Sequence, residues 1–225
     1  MFITFLSYSQ ITLNQVEVVD FKTNRNDTLY GVDVSHYQGM INWEKVDTNI
    51  KFAIIKVSEG INRLDDKFLK NWENCNVIKG GYHFFRPQYS GKKQASFFLN
   101  NLPINAGDIR PVIDVEYTPY WSLKKKRKYC VNNLIEMIHY LKKETGVLPI
   151  IYTSESFWIN YVYPNYKDKH DFWIVDYRNK LFQKKTKIDW VIWQYSCKGK
   201  VVGIKRLVDK NIMFTKTMSD VLIKN

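Results

Sequence analysis

The chain has 225 residues, 45% of them apolar, enough for one full core and consistent with a single domain of barrel or sandwich size. Lys and Arg number 34 against 22 Asp and Glu, a formal net charge of +12, which implies an anionic partner: nucleic acid, a membrane face or an acidic cell wall. No apolar run of about 18 residues occurs, which excludes a spanning helix, and no nucleic-acid-binding motif of fixed spacing is present.

Residues 1–28 are expected to be a lead-in to one domain over 29–225. The first nine, Met1 to Ser9, are apolar but lack the positive n-region of a secretion signal, so this stretch is either a degenerate signal or a plain N-terminal segment. Strand-like runs then recur at Tyr30–Ser35, Phe52–Ser58, Gly80–Phe85, Pro111–Glu116, Pro149–Thr153, Phe172–Tyr177, Val191–Tyr195 and Val208–Phe214. Helical spacing appears between the early ones, from Phe68 to Cys75, from Ala95 to Leu102 and over Ser122–Thr145. Alternating strand and helix predicts a parallel sheet, and eight strands predict its closure into a barrel. After Tyr163 the gaps between strands shrink to about a dozen residues, near the minimum for a helical crossover, and are rich in Lys. The fold class is therefore α/β, an irregular TIM-like (β/α) barrel with helices around only its first part.

The basic run Lys124-Lys125-Lys126-Arg127-Lys128 reads as a solvated helix start, although cations at a helix N-terminus are unfavourable. Cys75, Cys130 and Cys197 form no C-x-x-C; the first two sit in apolar helical patterns, where a buried free thiol is the default. Aromatic residues make up 16% of the chain, and most should fill the core, with Tyr and Trp also suited to a sugar-binding cleft.

Two acids stand inside the apolar run Arg110-Pro111-Val112-Ile113-Asp114-Val115-Glu116-Tyr117. On a strand Asp114 and Glu116 share one face, their Cα atoms roughly 6.6 Å apart, so each ionisation affects the other. Such a pair splits into a proton donor and a lasting anion when the two environments differ. An isolated D-x-E is more often a solvated strand end, but here other polar residues gather at strand C-termini, where barrels keep their chemistry. These are Asp33, Ser35, His36, Glu59, Tyr82, His83, Arg86, Asp176 and Gln194, with Asp209 near the start of the last strand. Alternation turns Asp33 and Ser35 into the lumen and Val32 and Val34 outward, so Asp33 can meet the Asp114/Glu116 pair.

The series Tyr30-Gly31-Val32-Asp33-Val34-Ser35-His36-Tyr37-Gln38-Gly39, Ile41-Asn42-Trp43, Phe52 to Gly60, Gly81-Tyr82-His83-Phe84, Pro111 to Glu116, Ile151-Tyr152-Thr153, Trp193-Gln194-Tyr195-Ser196 and Val208-Asp209-Lys210-Asn211 resembles the family 25 glycoside hydrolases, the Chalaropsis-type lysozymes. The resemblance runs from about Leu29 to Phe214 and implies a (β/α)5(β)3 barrel that cuts peptidoglycan between N-acetylmuramic acid and N-acetylglucosamine, outside the cytoplasm. It implies Glu116 as general acid, Asp114 as the residue that holds developing positive charge and the 2-acetamido group, and Asp33 as the rest of an acidic floor. Tyr82, Asp209, Gln194 and Tyr152 would bind substrate. Neither metal nor cofactor is implied, and the partner is the glycan strand, with no nucleic acid, no stable membrane insertion and a monomeric chain. One departure is Trp173-Ile174-Val175-Asp176-Tyr177, where the family usually carries a small residue in place of Val175; a narrower, more acidic cleft is expected there. No wall-binding repeats follow the barrel, so the +12 charge is the candidate for targeting. Two other readings compete: a metal-dependent hydrolase using His36, His83, Asp33, Asp114 and Glu116, and a wall-binding protein without turnover. No His pair has H-x-H or H-x-x-x-H spacing, and His83 alternates away from Tyr82.

Overall fold

The computed structural model describes residues 28–178 and 188–224. The expected lead-in therefore lies, Thr28 apart, outside the described residues. Among the described residues nine strands form one sheet: β1 (Thr28–Val34), β2 (Ile50–Glu59), β3 (Arg63–Leu64), β4 (Ile78–Phe84), β5 (Ile109–Asp114), β6 (Ile150–Thr153), β7 (Phe172–Val175), β8 (Trp190–Val201) and β9 (Ile204–Phe214). Their order is β1-β9-β8-β7-β6-β5-β4-β2-β3, and the further pairing of β1 with β2 closes eight of them into a barrel. β3 is a short ribbon folded back on β2.

From β1 through β2 and β4 to β8 all neighbours are parallel, as the alternating pattern requires. The last strand differs. β9 is antiparallel to both β8 and β1. A two-residue turn at Val202–Gly203 joins β8 to β9, and Gly203 has a φ of 89° with its Cα so close to Asn42 that a Cβ would lie 2.6 Å from that carbonyl oxygen. Both strands run beyond the expected Val191–Tyr195 and Val208–Phe214, because the hairpin projects past the barrel and its polar residues there do not read as a strand.

The helices α1 (Phe68–Asn74), α2 (Gly91–Asn101) and α4 (Arg127–Thr145) cover the outer face. Outward side chains such as Val32, Val34, Ile55, Ile113 and Val115 pack with Trp72, Phe98, Leu134 and Ile138 in one large core. Inward side chains, including Phe52, Ile54, Val112, Ile150, Trp173 and Met213, fill the lumen as a second core. Gly31 makes room there, since a Cβ on it would sit 2.5 Å from the Phe52 ring. The C-terminal helix α5 (Thr215–Val221) closes the bottom with Val221 and Met218, tied by a Leu222–Ile109 bridge. The lumen is thus apolar below and open to polar chemistry only at the strand C-termini.

The expected helix over Ser122–Thr145 is three pieces: α3 (Pro119–Ser122), a 3-10 turn at Lys124–Lys126, and α4. Lys124–Lys126 stay outside α4, but Arg127 and Lys128 open its first turn, where cations are unfavourable. Among the described residues no helix is long and apolar enough to cross a membrane.

Candidate active site

Strand β5 places the acid pair. All six of its residues are buried. Pro111 lacks an N–H, and the pairing with β4 shifts by one residue across it, from Gly80 opposite Ile109 to Tyr82 opposite Val112. The regular strand ends at Asp114, two residues before the expected Glu116, yet the Val115 N–H still donates to the Tyr152 carbonyl at 2.9 Å. Alternation therefore continues one step, with Val115 in the outer core and Glu116 half-buried beside Tyr152, Lys56 and Asp209.

Burial pushes the Asp114 carboxyl well above the usual range, and the neighbouring Glu116 adds to the rise. Burial raises Glu116 as well, with the Tyr152 hydroxyl and Lys56 opposing. Asp114 Oδ1 is buried and accepts no hydrogen bond among the described residues.

Asp33 forms the floor. Its Oδ2 accepts from Gln194 Nε2 at 2.9 Å and from Asn211 Nδ2 at 2.8 Å. Asn211 Oδ1 accepts from Trp173 Nε1 at 2.8 Å, and Gln194 Oε1 accepts from the hydroxyls of Tyr152 and Tyr177, each at 2.8 Å. Four strands are thereby tied to one carboxyl. Asp209 lies opposite Asp33 in the β1–β9 ladder and shares a hydrogen bond with it. Burial, then the charge of Asp209, pushes Asp33 up to about 8. Burial raises Asp209 too, but its bond with Asp33 lowers it, so Asp33 carries the shared proton and Asp209 the charge. The antiparallel course of β9 brings Asp209 to this mouth: in a parallel strand a residue near the start would lie at the bottom.

Tyr82 and Tyr152 wall the lumen, edge-on to Trp173 with ring centroids 6.4 Å and 4.5 Å away. Burial and the charges of Asp114 and Asp33 hold the Tyr82 hydroxyl protonated. Asp33, Asp114, Glu116, Tyr82, Tyr152, Gln194 and Asp209 thus meet in one place.

Other polar residues at the strand ends do not join them. His83 is fully buried on the outer face, bonded to Ser58 Oγ at 2.9 Å and Gln94 Oε1 at 3.3 Å, and burial lowers it to about 4. Ser35 caps a 3-10 turn, accepting from the Tyr37 N–H at 3.2 Å, instead of facing the lumen. His36 Nδ1 is paired with Asp65 at 2.6 Å. Glu59 is held by Lys56 at 3.0 Å and by Arg86; burial pushes its carboxyl up, but these partners outweigh it and the net shift is down. Asp176 accepts a forked pair of bonds from Arg178, 2.8 and 2.7 Å long, so the extra acid of the sixth expected strand is neutralised. Among the described residues no group of His, Cys, Asp and Glu is arranged to hold a metal ion. Sequence reading named neither Asn211, Trp173 and Tyr177 nor Lys56 as site residues. The signal for two of them was the period of two: Asn211 follows Asp209 on one face, and Lys56 follows Phe52 and Ile54.

Residues 32–204 match the model of glycosyl hydrolases family 25. Lysozyme M1 of Streptomyces globisporus is 33% identical over 197 residues, covering 80% of this chain and 66% of that protein. An uncharacterized protein YegX of Escherichia coli K12 is 34% identical over 197 residues, covering 82% of this chain and 69% of that protein. Among solved structures, a family 25 glycosyl hydrolase from Bacillus anthracis superimposes with a TM-score of 0.71 at 34% identity, over 84% of this chain and 90% of the other. A bacterial lysozyme from Streptomyces coelicolor gives 0.72 at 29% identity, over 86% and 94%. With the expected barrel observed, and with most of its length matched, the chain belongs to glycosyl hydrolase family 25 and is a glycoside hydrolase.

Proposed function

We propose that the chain is a lysozyme that hydrolyses the β-1,4 bond between N-acetylmuramic acid and N-acetylglucosamine in peptidoglycan outside the cytoplasm, with Glu116 as general acid. The observation that carries this reading is the Asp114/Glu116 pair at the open end of the lumen, both carboxyls raised, above the Asp33/Asp209 pair. Two raised, interacting acids titrate together, and a proton on the pair is held more firmly than on a free carboxyl. In the unliganded protein the deeper Asp114 keeps it more tightly. The acetamido N–H of a bound sugar would supply the missing donor to Asp114 Oδ1, favour its charged form and shift the proton to Glu116.

Glu116 then gives that proton to the glycosidic oxygen as the C1–O bond breaks and its electron pair goes to the leaving sugar. The acetamido oxygen closes on C1, and Asp114 stabilises the positive charge that spreads over the new ring. Water opens the ring from C1 and returns a proton to Glu116. Tyr82 and Tyr152 shape the wall for the reacting sugar, Gln194 and Asp33 hold that wall in register, and Asp209 supplies a fixed negative charge. Support for the substrate comes from the lysozymes among the relatives. Digestion of purified peptidoglycan with mass spectrometry of the fragments tests the reading: new reducing ends on muramic acid support it, and reducing ends on glucosamine, or none, contradict it.

A further inference from the structure

The rim next to Glu116 carries an aromatic and cationic platform that the reaction above does not use. Tyr117 follows the acid directly and is 53% exposed. Its ring lies edge-on to Tyr161, with centroids 5.7 Å apart. Tyr161 belongs to the π-helical turn Trp158–Val162 after β6 and stacks on Phe157 at 5.0 Å and 13°; Phe157 in turn meets the fully buried Trp121 at 5.3 Å. The platform is therefore anchored in the outer core and presents rings to solvent beside the cleft.

Arg127, the first residue of α4, lies with its guanidinium 4.6 Å from the centre of the Tyr161 ring. Its Nε is buried without an acceptor, and among the described residues the side chain is in no ion pair. Lys124, Lys125 and Lys126 stand exposed just before it, with Lys126 over the Tyr120 ring at 4.9 Å. A partly desolvated guanidinium without an acceptor is costly, and so are cations gathered at a helix N-terminus. Two local rules are broken one loop away from the proposed acid, where the ligand expected is a glycan bearing carboxylates.

We propose that Tyr117, Tyr161 and Arg127 form a subsite for the muramyl side chain of that glycan. The apolar face of a sugar rests on Tyr117, and Arg127 pairs with a carboxylate of the lactyl or peptide group. This rests on the lysozyme reading and extends it to the choice between charged and neutral glycan chains.

The test is binding of soluble muropeptide oligomers, native or with their carboxyls amidated, in a Glu116→Gln background that leaves the ligand intact. If that background still turns over, the same ratios are read from KM. Amidation should weaken the background protein about tenfold, as for loss of a hydrogen-bonded charge. Adding Arg127→Gln should weaken the native ligand by a similar factor and abolish the effect of amidation. Arg127→Lys, which keeps the charge, should retain part of it and guards against a folding defect. Equal binding of the native ligand with and without Arg127→Gln, or an equal loss on amidation in both, overturns the subsite alone. No binding of either ligand by the background protein would sink the subsite and the lysozyme reading together.

Discussion

Replacing Asp33 by Asn should stabilise the protein at neutral pH and leave it unchanged in acid. The Asp33 carboxyl ionises at about 8 in the folded protein against 3.8 when free. Because the folded value is the higher one, folding takes up a proton throughout the interval between them, so stability is full below the free value and falls as pH rises toward the folded one. Each step of one pH unit costs about 1.36 kcal/mol, or about 4 kcal/mol by pH 7. Asparagine escapes this cost without losing contacts. Its Oδ1 can accept from Gln194 and Asn211, and its Nδ2 can donate to Asp209 as the protonated acid does. A gain of up to about 4 kcal/mol corresponds to roughly 8–16 °C in Tm for a chain of this size. Calorimetry of both proteins from pH 4 to pH 9 should show Tm values that coincide near pH 4, diverge up to pH 8 and then run parallel. A gap independent of pH, or a variant less stable throughout, would refute the reasoning.

Asp114→Asn should cut turnover on peptidoglycan by about 10²-fold or more, because a charge is removed where positive charge develops. An activated aryl glycoside, provided the enzyme accepts one, should not restore it, and rescue by that substrate would contradict the role given to Asp114. Activity on intact wall should fall between low salt and several hundred millimolar, since exposed charges are screened beyond about 8 Å at physiological ionic strength and the chain carries +12; insensitivity would end the idea of electrostatic targeting. Replacing Cys75, Cys130 and Cys197 by Ala should leave turnover intact. Cys75 and Cys130 are buried, and burial pushes the Cys75 thiol up to about 11, where it is a poor nucleophile; loss of activity in a variant that still melts cooperatively would count against this.

The barrel was legible in the sequence because its signals are local. Alternation with period two assigned Val32, Val34, Ile113 and Val115 to the outer core and Asp33 and Asp114 to the lumen, as observed. The reversal of β9 was not legible, because the Val202–Gly203 turn lacks an Asn-Gly or Asp-Gly signal and the exposed run at Cys197 and Lys198 interrupts the apolar pattern before Val201 and Ile204 return to the outer core. Asp209 could be placed by resemblance but not by geometry until that reversal was known. The bonds of Gln194, Asn211, Trp173 and Tyr177 depend on the registers of β7, β8, β9 and β1 together, which no short-range pattern contains. Glu59 and His36 looked like site residues for the same reason. Their partners Arg86 and Asp65 are 27 and 29 positions away in sequence.

The proposed delivery of a proton by Glu116 to the glycosidic oxygen is tested most directly by the rate at which wild type and Glu116→Gln release reducing ends from purified peptidoglycan. Gln keeps the size and hydrogen-bonding capacity of Glu, and removing an acid that burial already disfavours should hold or raise the melting temperature. Turnover should drop by about 10²- to 10⁴-fold, roughly 3 to 5.5 kcal/mol of barrier. A Glu116→Gln protein that melts like the wild type and still releases reducing ends at a near-native rate would contradict the account.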